Sequence, residues 1–254
     1  MKGDLQVIAL VAAFFLGFLN SSLSDSSLEV LRHIEIGTMV AALAAAFFGA
    51  RYAFFLENEK EKKRERALRV EGGNHSLFLL VRTLEYFQCI KREYKDEEKD
   101  PHRDLLIRPF IGVTGFELKF DFRDLFFLFE SDNSHILNKL GAFQAEVAST
   151  LDVVTQRSEI HKTYAQPANE RLFQAKGLVW DPKEVKKLMG PNQSTNLRQA
   201  TDEMIKGVDS VIEGALTLSD ELRESLSRYY PDQPFIRYLP NKAFNSDAGK
   251  AGAG

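Results

Sequence analysis

The stretch from Met39 to Gly73, MVAALAAAFFGARYAFFLENEKEKKRERALRVEGG, changes from almost purely apolar to almost purely charged at Leu56. The apolar run from Ile36 to Leu56 carries one charge, Arg51, and matches the roughly 20 residues that cross a bilayer. A buried core helix would explain the apolar half but not the basic half that follows. The sequence therefore predicts a membrane-spanning helix that leaves the bilayer near residue 57.

A shorter uncharged run, Leu5–Leu19, precedes this segment. It is either a thin span, extended by polar residues into the interface, or the apolar core of a cleaved signal peptide. Lys2 is offset by Asp4, and the following LNSSLSDSS is a poor cleavage site, which favours a retained span. Residues 1–57 are thus predicted to form a two-helix transmembrane hairpin.

Small residues recur at every fourth position in both apolar runs. This spacing lets helix backbones approach closely in lipid, although alanine-rich spans also produce it by chance. The predicted helix-packing residues are Ala9, Ala13, Gly17, Gly37, Ala41, Ala45 and Gly49.

Lysine and arginine predict the orientation of the hairpin. The connecting segment Asn20–Glu35 has one basic residue, Arg32, whereas the segment after the second run has many. The positive-inside bias then places the main domain in the cytoplasm, and two spans place the N-terminus there as well. The lipid bilayer is the first predicted partner, and the predicted interface residues are Arg51, Tyr52, Lys60, Lys62, Lys63 and Arg64.

The basic segment also contains glutamates. Glu59 with Lys63, and Glu65 with Arg69, have the four-residue spacing that stabilises a solvated helix. Residues 58–73 are therefore predicted to form a charged helical stalk that the glycine pair 72–73 ends.

Residues 74–240 are predicted to form a cytoplasmic helical domain. Apolar residues at helical spacing predict one helix from 74 to about 94, a second from Ser134 to about Tyr164, and a third from Ser194 or Thr195 to the YYPDQP sequence. The last two are expected to pack antiparallel. A short helix capped by Asp181 and started by Pro182 is expected between them.

One segment has the period of a strand. The apolar residues Phe116, Leu118, Phe120 and Phe122 alternate with charged residues in FELKFDF. A weak partner strand lies in Leu105–Val113. The predicted fold class is mainly α, with at most one short β ribbon, and the tail 241–254 is predicted to be disordered.

Composition excludes several classes of function. The chain has 33 basic and 36 acidic residues, so its net charge of −3 does not favour nucleic acid as a partner. The single cysteine, Cys89, lies among apolar helix positions and is expected to be a small buried hydrophobe. No phosphate-binding, dinucleotide-binding or metal-binding motif is present, so no catalytic, cofactor or metal residue is predicted.

Three groups of side chains have a structural and a chemical interpretation. Ser131–His135 is interpreted as helix capping, and Arg157 with His161 as a solvated helix face. The aromatic residues Phe126, Phe127 and Phe129 are interpreted as core rather than as a ligand pocket.

At KFDFRDLFFLFESDNSHILNKL (Lys119–Leu140) and in the helix that follows, the chain resembles bacterial proteins that join a short membrane hairpin to a cytosolic helical domain. Some proteins with this layout carry a phage abortive-infection label. The resemblance covers residues 36–238 and contains no motif with an assigned chemical role, so it transfers no catalytic residue. It implies a location in the bacterial inner membrane.

Three functions follow as hypotheses. The first is a non-enzymatic interaction or sensor protein that binds a protein partner or a second copy of itself. The second is a stress- or phage-responsive effector that acts on the inner membrane. The third is an unrecognised hydrolase, which would need Asp132, His135 and Glu159 to converge.

Overall fold

The computed structural model describes residues 27–110, 115–130, 134–177 and 181–238. These residues are mainly helical and include no strand, which confirms the predicted fold class at that level. The first apolar run and the predicted disordered tail lie outside the described residues. The chain divides into two compact units, Met1–Glu65 and Arg66–Gly254.

The helices differ widely in length, from 4 to 66 residues. In chain order they are α1 (Ser27–Arg92), α2 (Arg103–Leu106), a 3₁₀ helix (Phe122–Glu130), α3 (Ser134–Ile160), a π-helical turn (His161–Ala165), α4 (Gln166–Lys176), α5 (Pro182–Met189) and α6 (Pro191–Tyr229).

In the second unit, α6 runs antiparallel to α3. Lys139 Nζ lies 2.7 Å from Glu221 near the start of α3, and Arg157 Nε donates to Thr201 Oγ1 at 3.3 Å near its end. The α1 portion of this unit has the same relation to α6, because Gly73 faces Leu226 whereas Lys91 pairs with Asp209. The buried apolar positions recur every three or four residues along each helix, and they close one core between the three.

A smaller apolar cluster lies where α3 ends. It contains Ala165, Ala168, Leu172, Val185, Met189 and Leu197. The predicted short helix is present as α5: the Asp181 side chain accepts from the Lys183 N–H at 2.9 Å, and Pro182 occupies the first turn.

The glycine pair does not end a helix, contrary to the prediction. Helix α1 continues through Gly72 and Gly73 to Arg92, and Ser76 Oγ donates to Gly72 O inside the helix at 3.0 Å instead of capping a new one. A Cβ on Gly72 would lie 2.4 Å from Asp124 Cβ, and one on Gly73 would lie 2.8 Å from the Leu226 methyl groups. The missing side chains thus admit the 3₁₀ helix and α6 against α1.

The predicted strand is also wrong, although its alternation is real. Leu118 and Phe120 are buried while Glu117, Lys119 and Asp121 are exposed. No strand pairs with the segment among the described residues. The Phe120 N–H instead donates to Gln144 Oε1 of α3 at 3.0 Å.

Candidate functional site

The apolar part of α1 is uncovered. From Thr38 to Leu56 none of the side chains is buried, and Met39, Tyr52 and Phe54 are 65%, 65% and 73% exposed. Within the described part of the chain, α1 from Thr38 on is the one helix long and apolar enough to cross a membrane, and none of its apolar window is buried. A soluble core helix would be mostly buried, so this exposure indicates association with a membrane.

The predicted packing face is only partly visible. Ala9, Ala13 and Gly17 lie outside the described residues, and only the backbone of Gly37 is described. Ala41 and Ala45 are exposed, and no described atom lies within 4 Å of a Cβ built on Gly49. Helix packing through these residues therefore stays a prediction.

The predicted interface residues share one environment. Each lies on α1 with an exposed side chain, as do most of the charged residues that follow as far as Leu68. The set is Arg51, Tyr52, Lys60, Lys62, Lys63 and Arg64.

Arg157, predicted from the sequence to lie on a solvated helix face, is the bulkiest of the fully buried side chains that the structure describes. Its side chain is 0% exposed. Its guanidinium donates to the carbonyl oxygens of Asp104 at 3.1 Å and Arg108 at 3.0 Å, to that of Ile107, and to Thr201. Burial lowers the pKa of Arg157 to about 10, and the nearby Asp104 carboxylate opposes that shift.

Asp104 supplies the countercharge. Its residue is 1% exposed, and Lys186 Nζ of α5 lies 2.9 Å from Oδ2 and donates to Oδ1 at 3.2 Å. Beside it, Arg103 pairs with Asp202 of α6 at 2.9 Å. These two ion pairs and Arg157 fasten the α2 segment to α3, α5 and α6, and we call this group the polar clasp (Arg103, Asp104, Arg157, His161, Lys186, Thr201 and Asp202).

His161 is the member of the clasp whose ordinary pKa lies near neutral pH. It begins the π-helical turn, and its Nε2 lies 3.1 Å from the Leu105 carbonyl oxygen. Burial lowers its pKa, the hydrogen bond to Leu105 opposes this, and the neighbouring Arg157 adds to it. A π-helical turn often marks a functional site, but here it aims the imidazole at a backbone acceptor.

The clasp contains charged side chains, but their arrangement does not indicate a chemical reaction. Three of the four acceptors of Arg157 are backbone carbonyls, so its donors are used to hold the chain. In the described ranges, no group of three or more His, Cys, Asp or Glu side chains is placed to hold a metal ion. The clasp is therefore best understood as a fastening between elements.

The signal for this cluster is in the sequence. The buried positions Val147, Thr150 and Val154 step along α3 by threes and fours, and Arg157 and His161 continue the same series. Their register with the apolar stripe permits burial, an alternative that the solvated-face interpretation did not consider.

The hydrolase constellation does not form. His135 and Glu159 are both exposed and lie 24 residues apart on α3, which separates them by about 36 Å along a regular helix. Asp132, with the rest of the proposed cap from Ser131 to Asn133, lies outside the described residues.

Two further expectations about burial are wrong. Cys89 is exposed, and its Sγ accepts from Arg92 Nη2 at 2.8 Å one turn later. Of the three phenylalanines expected to be core, only Phe127 is buried, at 4% exposure, whereas Phe126 and Phe129 are 57% and 52% exposed. In both cases, apolar composition predicted burial where only one face of the element is covered.

An open groove of about 460 Å³ lies beside Gly72. Leu68, His75 and Phe78 of α1 line it, together with Asp124 and Ile236. The Ile236 N–H donates to Asn74 Oδ1 at 3.1 Å, which fixes the segment after α6 along its edge.

No protein-family model, curated protein or solved structure matches this chain.

Proposed function

We propose that the chain is a membrane-anchored helical interaction or sensor protein without enzymatic activity. The two apolar runs span the bacterial inner membrane, and the N-terminus and the main domain face the cytoplasm. The observation that carries this proposal is the uncovered apolar length of α1 from Thr38 to Leu56, followed directly by exposed charge.

The energetics of exposure support the anchor. Burying one large apolar side chain is worth about 1.5–3 kcal/mol relative to leaving it in water. The exposed set on this segment includes Met39, Leu43, Phe47, Phe48, Tyr52, Phe54, Phe55 and Leu56. A bilayer would remove all of these side chains from water at once. The basic residues that follow favour an exit on the cytoplasmic side.

Two features support interaction over catalysis. The buried charges of the second unit are engaged in fastening α2, which leaves them without a role in binding substrate. Its exposed surface meanwhile carries large apolar side chains on several elements, including Phe78, Phe173 and Leu216. A protein partner or a second copy of the chain is the proposed ligand of this surface.

The native cysteine makes the topology directly testable. Cys89 is exposed and is the single cysteine of the sequence. In sealed spheroplasts a membrane-impermeant maleimide should spare Cys89 and label it only after permeabilisation.

With Cys89→Ser as background, Ser22→Cys should react in sealed spheroplasts if there are two spans. Labelling of Cys89 in sealed spheroplasts refutes the orientation, and extraction of the chain by alkaline carbonate refutes the anchor.

The interaction role has its own test. Chemical crosslinking of the full chain in native membranes should yield a discrete homo-oligomer or one reproducible partner adduct. A strictly monomeric chain without an adduct would contradict the proposal while leaving the anchor intact.

A second candidate, an effector that permeabilises the inner membrane, is favoured by Gly49, where an added Cβ would meet no described atom within 4 Å. A helix could pack on this face and rearrange there. Induced expression should then depolarise cells, and Gly49→Leu should abolish depolarisation. Normal membrane potential during induction would exclude this candidate.

A further inference from the structure

The 3₁₀ helix presents two phenylalanines to solvent on one edge. Phe126 and Phe129 are three residues apart, a spacing that stacks side chains along a 3₁₀ helix. Their ring centroids lie 5.3 Å apart, and both rings are more than half exposed. Leu125, Phe127 and Leu128 on the opposite side are buried, so the pair sits on a well-fixed base.

The 3₁₀ helix that carries the pair contacts the first residues of the second unit. Asp124 contacts α1 at Gly72, while the Arg69 guanidinium lies 5.7 Å from the centre of the Phe127 ring. The 3₁₀ helix thus advances toward Arg66, the first residue of the unit, as it proceeds to Phe129.

Aromatic contacts complete this end of the unit. Phe127 packs edge-on against Tyr230 with ring centroids 5.8 Å apart, and the Arg66 guanidinium lies 5.6 Å from the Tyr230 ring. Arg66 and Arg69 therefore contact rings on the buried side of the 3₁₀ helix and bring basic side chains to this end of the unit.

We propose that Phe126 and Phe129 insert into the headgroup region of the membrane that holds the anchor, and so dock the second unit on the bilayer. This inference rests on the proposed anchoring. Only ten residue steps separate Leu56 from Arg66, so the chain limits their separation to about 35 Å even when fully extended. The bilayer is consequently the apolar phase held closest to this pair.

The chemistry of the face fits a bilayer surface. Aromatic rings are enriched at the membrane–water boundary, and each basic residue near an anionic surface adds attraction. Between residues 57 and 69, six basic residues exceed four acidic ones. Asp232, 3.8 Å from Arg66, and the exposed Asp124 limit this attraction, so the rings provide most of the contact.

Depth-dependent quenching tests the docking on the full chain. In a Cys89→Ser background, single cysteines at Phe126→Cys, Phe129→Cys, Tyr52→Cys and Phe173→Cys are labelled with a small fluorophore. Each variant is reconstituted in nanodiscs with and without lipids that carry a nitroxide near the headgroup. Phe173 is the matched control, because it is 56% exposed on α4.

Docking predicts more than twofold quenching at positions 126 and 129, comparable quenching at the anchor position 52, and little at 173. Quenching at 52 without quenching at 126 and 129 overturns the docking and leaves the anchor standing. Failure to quench at 52, or recovery of lipid-free protein, instead refutes the anchor. Crosslinking between two copies through position 129, without quenching there, would assign this face to self-association and also overturn the docking.

Discussion

Replacing Gly72 by alanine tests two interpretations of the glycine pair. The pair is either a packing seam, at which the 3₁₀ helix and α6 lie against α1, or the end of a helix. An added Cβ would meet Asp124 Cβ at 2.4 Å and the Asp124 carbonyl oxygen at 3.4 Å. Asp124 Cβ is attached directly to the backbone, so rotation of its side chain cannot relieve the contact. The 3₁₀ helix would have to move away from α1.

The size of the effect follows from two opposed terms. Alanine gains about 1 kcal/mol over glycine in a helix interior, while overpacking costs about 1–3 kcal/mol. With a separation as short as 2.4 Å, we expect the upper end of that cost. Gly72→Ala should therefore lower the free energy of unfolding of the second unit by about 2 kcal/mol.

Gly141 provides the matched control inside α3. The nearest atom to its added Cβ, Phe122 Cζ, is 4.0 Å away, so Gly141→Ala should gain the helix term alone. The two variants should then differ by about 3 kcal/mol. At an m-value of about 2 kcal/mol/M, their urea midpoints would be about 1.5 M apart.

Pulse proteolysis of the full chain in urea measures these midpoints without isolating the second unit. The double variant Gly72→Ala with Asp124→Gly should recover most of the loss, because it removes the opposing Cβ. If Gly72→Ala proves as stable as Gly141→Ala, the glycine pair is a helix end or a loose joint, and the proposed seam is wrong.

Three further predictions concern the clasp and one cap. Arg157→Met should destabilise the unit by about 3–5 kcal/mol, since it leaves buried acceptors unpaired, whereas Lys139→Met at an exposed pair should cost at most about 1 kcal/mol in the same proteolysis assay. Because the pKa of His161 is lowered in the folded unit, the unfolded chain binds more protons than the folded chain below pH 6.5. The urea midpoint should therefore fall as the pH is lowered from neutral toward 5. His161→Gln should make the midpoint less dependent on pH. Asp181→Ala should cost about 1 kcal/mol and speed amide exchange across Pro182–Met189, without change at α3.

Local rules account well for the elements whose ends are set by neighbouring residues. The cap of α5 depends on Asp181 and Pro182 alone, so it can be inferred from four or five letters of sequence. The long helices can also be inferred from the sequence, because each apolar stripe repeats for many turns. The π-helical turn and the continuation of the chain into α4 change the end of α3, and neither leaves a periodic signal.

Burial of polar residues required tertiary information. Arg157 and His161 have the spacing of a solvated pair and also the register of the buried stripe, and the carbonyl oxygens of the α2 segment decide between the two. Those acceptors lie about 50 residues earlier in the chain, as the separation of Arg157 from Ile107 shows. The sequence alone does not indicate that they meet.

The alternating segment before the 3₁₀ helix shows what a two-residue period can and cannot specify. Leu118 and Phe120 turn inward, so the pattern correctly reports a surface that covers one face of the chain. That surface is α3 rather than a neighbouring strand, since the Phe120 N–H donates to a glutamine side chain. A segment laid along α3 in this way carries Asp124 to the gap at Gly72. The segment predicted as a strand thus leads along α3 into the 3₁₀ helix, and the 3₁₀ helix packs against α1 at Gly72. Together these two contacts position the exposed pair Phe126 and Phe129.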